Sequence, residues 1–307
     1  MLSNKKIAVV VPAYNEENLI EKTLSTMPSF VDTIIVVNDG SSDNTGPLID
    51  QVAQNDPRIY HLHNQQNIGL GESIMKGYKK AHELKGGIIA VMAGDAQMDP
   101  DDLERVVNPI IEGKALYVKG NRLLTPEVFQ TMPKYRYFGN SILTFLTKFA
   151  TGYFHLMDPQ CGYTAIKSSA LKYLNFDKPH KGYGYNAHLL FHLNLHNAKV
   201  IDVDVKPVYG EAISGIKLSN YIPSLSWLLI KVFFKRIILK YFLFDFHPVG
   251  LCYLFGTLSG IIALDAGITV AMARFQLTGT LPITLLPTIM LWVLTSFSTI
   301  IFWLFGM

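Results

Sequence analysis

Charge almost disappears from the C-terminal end of this chain. Between positions 248 and 307 the only charged residues are Asp265 and Arg274. A segment of that length and polarity must be solvated by lipid or buried in a large core. Residues 249–272 and 281–305 are each long enough to cross a ~30 Å hydrocarbon layer as a helix. Both are apolar on every face, which favours two transmembrane helices over two buried core helices. They also explain why the mean hydropathy of the chain is positive, at +0.23.

The flanking residues orient these spans. Lys231, Lys235, Arg236 and Lys240 precede the first, whereas the connector 274–280 carries one positive charge. The positive-inside rule then places the N-terminal domain and the chain end on the cytoplasmic side of a multi-pass membrane protein. Residues 221–247 mix Trp227, Phe233 and Phe234 with the same basic positions. They read as one or two amphipathic helices in the interface, with the basic side toward anionic headgroups. Asp265 is expected to hydrogen-bond within the bundle or to sit near the outer interface, with a role in lipid handling as the alternative. No signal-peptide pattern opens the chain, so residues 1–220 are expected in the cytoplasm. The two cysteines, Cys161 and Cys252, imply no disulfide framework and fit a reducing compartment. A net charge of +3 is too small to argue for nucleic acid as a partner. Two isolated spans often pack against others, so a homo-oligomer is among the expected assemblies.

Residues 1–220 alternate strand and helix. Strands are predicted at 7–11, 33–37, 58–63, 88–92 and 116–119, with helices at 17–26, 45–54, 71–84 and 100–112. Such alternation implies an α/β domain with a mostly parallel sheet covered on both faces. Asp99-Pro100-Asp101-Asp102 is a helix start, with a capping residue, proline at the first turn and acids near the positive end. These three acids are therefore read as structural.

In open α/β sheets ligands bind beyond the carboxyl ends of the strands. The strand at 88–92 leads into Ala93-Gly94-Asp95-Ala96-Gln97. Burying a lone carboxylate is costly, so Asp95 belongs at the open end of its strand with a partner. If the chain stays extended, Asp95 and Gln97 share a face and offer two oxygen ligands to Mg²⁺ or Mn²⁺. The other reading makes Asp95 a local cap of a turn. The first strand ends in Pro12-Ala13-Tyr14-Asn15-Glu16 and the second in Asn38-Asp39-Gly40-Ser41-Ser42-Asp43. Tyr14 offers a ring for stacking a base, and Asp39 can accept from base N–H groups. Asn67-Ile68-Gly69-Leu70-Gly71 allows close backbone approach before a helix. Ser42 and Asp43 also suit a simple helix cap. Neither G-x-G-x-x-G after the first strand nor G-x-x-x-x-G-K-[ST] occurs, which argues against dinucleotide and P-loop sites.

Together, Pro12–Glu16, Val37–Asp43 and Gly94–Gln97 resemble the motifs of family 2 glycosyltransferases with a GT-A, Rossmann-like fold. The apolar tail narrows the resemblance to polyprenyl-phosphate glycosyltransferases of the dolichol-phosphate mannose synthase type. The resemblance implies inverting transfer of a sugar from a UDP- or GDP-sugar to a membrane polyprenyl (dolichyl or undecaprenyl) phosphate. It implies that Pro12, Tyr14, Glu16, Asp39 and Gly69 hold the nucleotide, and that Asp95 and Gln97 hold the metal and diphosphate. The family's metal motif is commonly Asp-x-Asp-x-Gln; here Ala93 stands at its first acid, which implies a leaner metal site.

Downstream, Lys119-Gly120-Asn121-Arg122 resembles the family's strand-end arginine. Arg136 leads into an apolar helix ending near Ala150. Guanidinium groups pair well with phosphate oxygens, so Arg122 and Arg136 are expected at the acceptor phosphate; a surface ion pair and a helix-start charge are the alternatives. Met157-Asp158-Pro159-Gln160-Cys161-Gly162 resembles the family's Asp-x-x-x-Gly-Phe-type segment, which implies that Asp158 faces the acceptor as base or positioning group; a turn made by Asp-Pro is the alternative. Residues 205–211 end a late strand. Residues 212–217 resemble the family's mobile loop, with Lys217 neutralising the leaving diphosphate. His188, His192 and His196 recur at helical spacing with no acid or cysteine nearby, and are read as an ordinary helix face.

The expected domains are therefore a catalytic domain at 1–220, interfacial helices at 221–247 and a membrane anchor at 248–307. Two other readings stand beside the transferase. One is a non-catalytic nucleotide-sugar sensor or scaffold, which Ala93 favours. The other is a processive polysaccharide synthase, which the lack of a Gln-x-x-Arg-Trp segment disfavours.

Overall fold

The computed structural model describes residues 2–123, 134–176, 180, 182, 184–206, 208, 218–244, 247–276 and 286–305. They divide into two compact units, Met1–Phe233 and Phe234–Met307.

The first unit is built on a sheet whose described strands are β1 (Ile7–Ala13), β2 (Thr33–Asn38), β3 (Ile59–His63), β4 (Ile88–Val91), β5 (Tyr117–Asn121), β6 (Thr164–Lys167) and β7 (Val200–Asp204). Their order is β3-β2-β1-β4-β6-β5-β7. Strands β1 to β4 run parallel, β6 runs antiparallel to both neighbours, and β7 is parallel to β5. The predicted alternation is thus present. The short β6 had no sequence signal of its own, because its four residues carry too little pattern to separate strand from loop.

Helices α1 (Ile20–Ser25), α2 (Thr45–Asn55), α3 (Leu70–Glu83), α4 (Leu103–Ile111), α5 (Lys134–Thr151) and α6 (Tyr185–Leu195) complete the domain. Every residue of β1 is buried, as a strand covered on both faces requires. Its side chains alternate between two cores. Ile7, Val9 and Val11 join Ile20, Leu24, Ile49, Val106 and Ile110 on one face. Ala8 and Val10 join Ile74, Tyr78, Leu189 and Leu193 on the other. Gly77 lets α3 lie close to β1: a Cβ there would come within 2.2 Å of Val10 Cγ1.

Helix α7 (Leu218–Ile238) carries the chain from the first unit into the second, where a π-helical segment, Leu239–Phe244, follows it. Lys231 lies 5.0 Å from the Trp227 ring, the basic–aromatic mixture the sequence promised. Arg236 departs from that expectation. It is buried, with its guanidinium 5.9 Å from the Tyr241 ring, and so leaves the exposed basic face.

The second unit continues with α8 (Pro248–Gln276) and α9 (Leu286–Phe305), which pack together. Small residues line the contact: Ala263 and Ala266 are buried, and Ser259 Oγ lies 2.8 Å from Thr299 Oγ1. The Asp265 side chain is exposed. Among the described residues one helical stretch, Pro248–Met272, is long and apolar enough to cross a membrane. The second expected span begins in residues 281–285, outside the described set; its described apolar part, Leu286–Phe302, is shorter.

Candidate active site

The topology decides which loops meet. Strands β1, β2 and β4 are adjacent and parallel, so the segments after Ala13, Asn38 and Val91 emerge at one edge of the sheet. Strand β5 points the same way, through two antiparallel pairings, and delivers Arg122 there. The antiparallel β6 begins at that edge, so the preceding Asp158–Tyr163 segment arrives with it.

The first two loops are stitched together. Asn15 adopts a left-handed backbone, φ 55°, and its Oδ1 accepts from Ser42 N at 2.9 Å. The backbone N–H of Asn15 donates to Ser41 Oγ at 3.0 Å, and that of Glu16 to Thr45 Oγ1 at 2.8 Å. Asp43 accepts from Thr45 N and Glu17 N. Burial alone would raise its carboxyl, but those bonds more than offset it and hold the group below its ordinary value. Asp43 is thus a brace between the two loops, and the N-cap position of α2 falls on Asn44 rather than on Asp43. Pro12 lies within β1, where its carbonyl accepts from Gly94 N at 3.0 Å, and Tyr14 presents an exposed ring at the strand's end.

Asp39 is buried and already engaged. Its Oδ1 accepts from Asn64 Nδ2 and Ile68 N, and its Oδ2 from Gly69 N, each at 2.9 Å. Each carboxylate oxygen has two lone pairs, so Oδ2 keeps capacity for one further donor. Gly69 sits at the N-terminus of α3 with φ 96° and ψ 152°, a conformation open in practice to glycine alone.

Asp95 does not stand in extended chain. Ala96 turns to φ 53°, and Asp95 Oδ1 accepts from Gln97 N at 3.1 Å. This corrects the geometric expectation that strand alternation sets Asp95 and Gln97 on one face. The strand ends at Val91, and the chain turns to start the next helix. The turn role of Asp95 is real, and its electrostatics add a second one. Burial raises its carboxyl, against hydrogen bonding from Gln97 and the positive charge of Arg122. Glu16 is pushed up to about 7, first by burial and then by repulsion from Asp95 and Asp43. Carboxylates from two strand ends therefore crowd one another. This is the hard-oxygen donor set a divalent cation suits, and a cation would relieve the repulsion.

Arg122 and Asp158 form a two-point ion pair: Nε to Oδ2 at 2.8 Å and Nη2 to Oδ1 at 3.2 Å. The Asp158 side chain is 4% exposed and that of Arg122 37%, so of the pair only the arginine side chain reaches solvent. Both oxygens of the buried Asp158 side chain engage the Arg122 guanidinium, and that ion pair favours positioning over proton abstraction. Arg136 lies in α5, but its side chain is outside the described residues, as is Lys217.

Two of the three acids read as structural make structural contacts. Asp99 caps Asp101 N at 3.0 Å, while Asp102 pairs with Arg105 and accepts from Lys206 N. His188 packs edge-on against His192, and His196 stacks on Tyr173. Sequence reasoning passed over Lys119. It is fully buried in β5, with Nζ donating to Cys161 O at 2.8 Å and Asn186 Oδ1 at 2.9 Å. Desolvation lowers its ammonium to about 8. A lysine inside Leu116-Tyr117-Val118-Lys119 was the available signal, since a charge buried in a strand must be paired.

The comparisons agree with this architecture. Residues 8–174 match the model of glycosyl transferase family 2. A UDP-N-acetylglucosamine–dolichyl-phosphate N-acetylglucosaminyltransferase of Methanococcus voltae is 31% identical over 223 residues, covering 68% of this chain and 88% of that protein. An undecaprenyl-phosphate mannosyltransferase of Micrococcus luteus is 25% identical, covering 67% and 85%. A glucosyl-3-phosphoglycerate synthase of Mycobacterium tuberculosis, solved with Mn²⁺, UDP and phosphoglyceric acid, shares the fold with a TM-score of 0.55 at 19% identity, covering 76% and 78%. The matched segment takes in β1 to β6 and with them the strand ends that carry Glu16, Asp39, Asp95, Arg122 and Asp158, so the chain belongs to glycosyl transferase family 2 and is a glycosyltransferase.

Proposed function

We propose that this transferase moves a sugar from a UDP- or GDP-sugar to the phosphate of a membrane polyprenol, by direct displacement with inversion. The observation that carries the reading is the edge where β1, β2, β4 and β5 deliver crowded carboxylates next to a partly exposed arginine. The two relatives named for dolichyl- and undecaprenyl-phosphate transfer support the acceptor class.

Each residue has a task in this reading. Tyr14 stacks the base, and the free capacity of Asp39 Oδ2 takes a base N–H, while Pro12 and Gly69 shape the backbone around the nucleotide. Asp95, Gln97 and Glu16 would hold Mg²⁺ or Mn²⁺, with Glu16 supplying the second acid that Ala93 does not. The cation, when bound, supplies charge stabilisation for the departing nucleoside diphosphate. Arg122, oriented by Asp158, binds phosphate oxygens; Arg136 and Lys217 add to this positive field. An anionic phosphate acceptor needs little general-base help, so holding it in line with the anomeric carbon is the main contribution of the protein.

The membrane anchor belongs to the same proposal. Residues 248–307 span the bilayer twice, residues 221–247 lie in the interface, and the catalytic domain at 1–220 is cytoplasmic. This places the site at the depth where the lipid phosphate resides. The test is transfer of radiolabelled sugar from a panel of UDP- and GDP-sugars into the lipid fraction of vesicles containing polyprenyl phosphate. Label entering lipid only with one donor and a divalent cation is the expected result. Donor binding with no labelled lipid from any donor would overturn the acceptor assignment.

A further inference from the structure

Away from the transfer site, the described residues hold one group of metal-ligating side chains, Asp50, His61 and His63. His61 and His63 lie in β3, at the sheet's edge, and alternation puts them on one face. Helix α2 packs against β3 and brings Asp50 to them. Asp50 Oδ1 is 2.9 Å from His63 Nε2 and 3.0 Å from His61 Nδ1. The two ring nitrogens are themselves 2.9 Å apart.

Protons alone leave this triangle frustrated. If both nitrogens carry hydrogen toward Asp50, two N–H donors face each other at 2.9 Å. If either nitrogen is bare, it faces the carboxylate oxygen lone pair to lone pair, at 3.0 Å for His61 Nδ1 and 2.9 Å for His63 Nε2. A cation at the centre satisfies all three lone pairs at once. The spacing also matches coordination. Ligands about 2.0–2.1 Å from a metal stand about 2.9 Å apart on an octahedral face, against about 3.4 Å in a tetrahedron. Two imidazoles and one carboxylate favour a late first-row ion over Mg²⁺.

We propose that Asp50, His61 and His63 form a second metal site, which binds a divalent transition ion such as Co²⁺, Ni²⁺ or Zn²⁺ facially, with water completing the octahedron. All three side chains are exposed, so ion and water reach them freely. The Asn38 carboxamide lies 3.1 Å from His63 Nδ1 and fixes the ring. Here the amide nitrogen Nδ2 faces the ring; with a metal on Nε2 the His63 proton would sit on Nδ1, and the carboxamide would turn over so that its oxygen accepts it. That oxygen now accepts from Ser41 N, so loading the ion exchanges one partner of the loop that follows Asp39.

The test is titration of the untagged full chain, in detergent and freed of metal, with CoCl2 followed by visible absorption. One equivalent with the weak spectrum of octahedral cobalt is expected at this site, beyond any held at the transfer site. Binding should persist in Asp95→Asn and disappear in His61→Ala and Asp50→Asn. Because the three residues are exposed, these variants should melt with the wild type; His61→Gln replaces His61→Ala if it does not. Absence of stoichiometric binding overturns the proposal. So does binding that survives His61→Ala and disappears with Asp95→Asn, because it then belongs to the transfer site.

Discussion

Asp158 and Arg122 are unequal partners, because only the carboxylate is buried. Removing the arginine strands a buried charge, which typically costs about 3–5 kcal/mol, whereas removing the acid leaves a partly exposed cation that water can reach. Arg122→Met should therefore lower the melting temperature of the full chain more than Asp158→Asn, and the double variant should recover part of the loss. Differential scanning fluorimetry in detergent reads all three. For Asp95, the expected effect lies on chemistry. Asp95→Asn should cut transfer by about 100-fold or more while leaving the melt unchanged, as loss of a preorganised electrostatic group does. Glu16 supplies a pH test. Its carboxyl titrates near 7, above its ordinary 4.5, so between those values the folded chain holds a proton that the unfolded chain has released. Its contribution to stability is present below about 4.5 and is lost as pH rises through about 7. A cation takes the place of that proton. The gain in melting temperature on adding Mn²⁺ should thus be larger at pH 8 than at pH 5.5, and the difference should shrink in Glu16→Gln.

Two elements owe their placement to single residues that local pattern explains only in part. Helix α3 begins at Gly69, whose backbone N–H is tied to Asp39 and whose φ of 96° excludes side chains. Gly69→Ala should cost about 1–3 kcal/mol of stability and weaken donor binding; calorimetric titration with UDP and GDP measures the second effect. A glycine before a predicted helix was legible in the sequence, but the tie to Asp39 was not, since thirty residues separate the partners. Strand β5 shows the opposite case, with Lys119 inside the sheet. Its ammonium titrates near 8 when folded and at 10.5 ordinarily, so between those values the unfolded chain binds the extra proton. Stability should therefore rise with pH across that window in the wild type. Lys119→Met should lack that rise, which melts from pH 8 to 10 would show.

At the scale of the molecule, the anchor sets a topological prediction. Two spans return the C-terminus to the side of the catalytic domain, and one span does not. In sealed inside-out bacterial vesicles, a C-terminal epitope should be cleaved by external protease together with the N-terminal domain; protection of the epitope alone would leave one crossing. What the sequence determined by itself was everything carried by local order. The alternation of strands and helices, the apolar tail and the motif residues at strand ends all follow from short-range periodicity and residue chemistry. Only the tertiary structure decided who faces whom. It paired Arg122 with Asp158, set Glu16 against Asp95, occupied Asp39 with the Gly69 loop and inserted β6 between β4 and β5. These contacts join residues far apart in sequence, and their energies depend on burial and distance. Neither quantity exists until the sheet order has brought the strand ends to one edge.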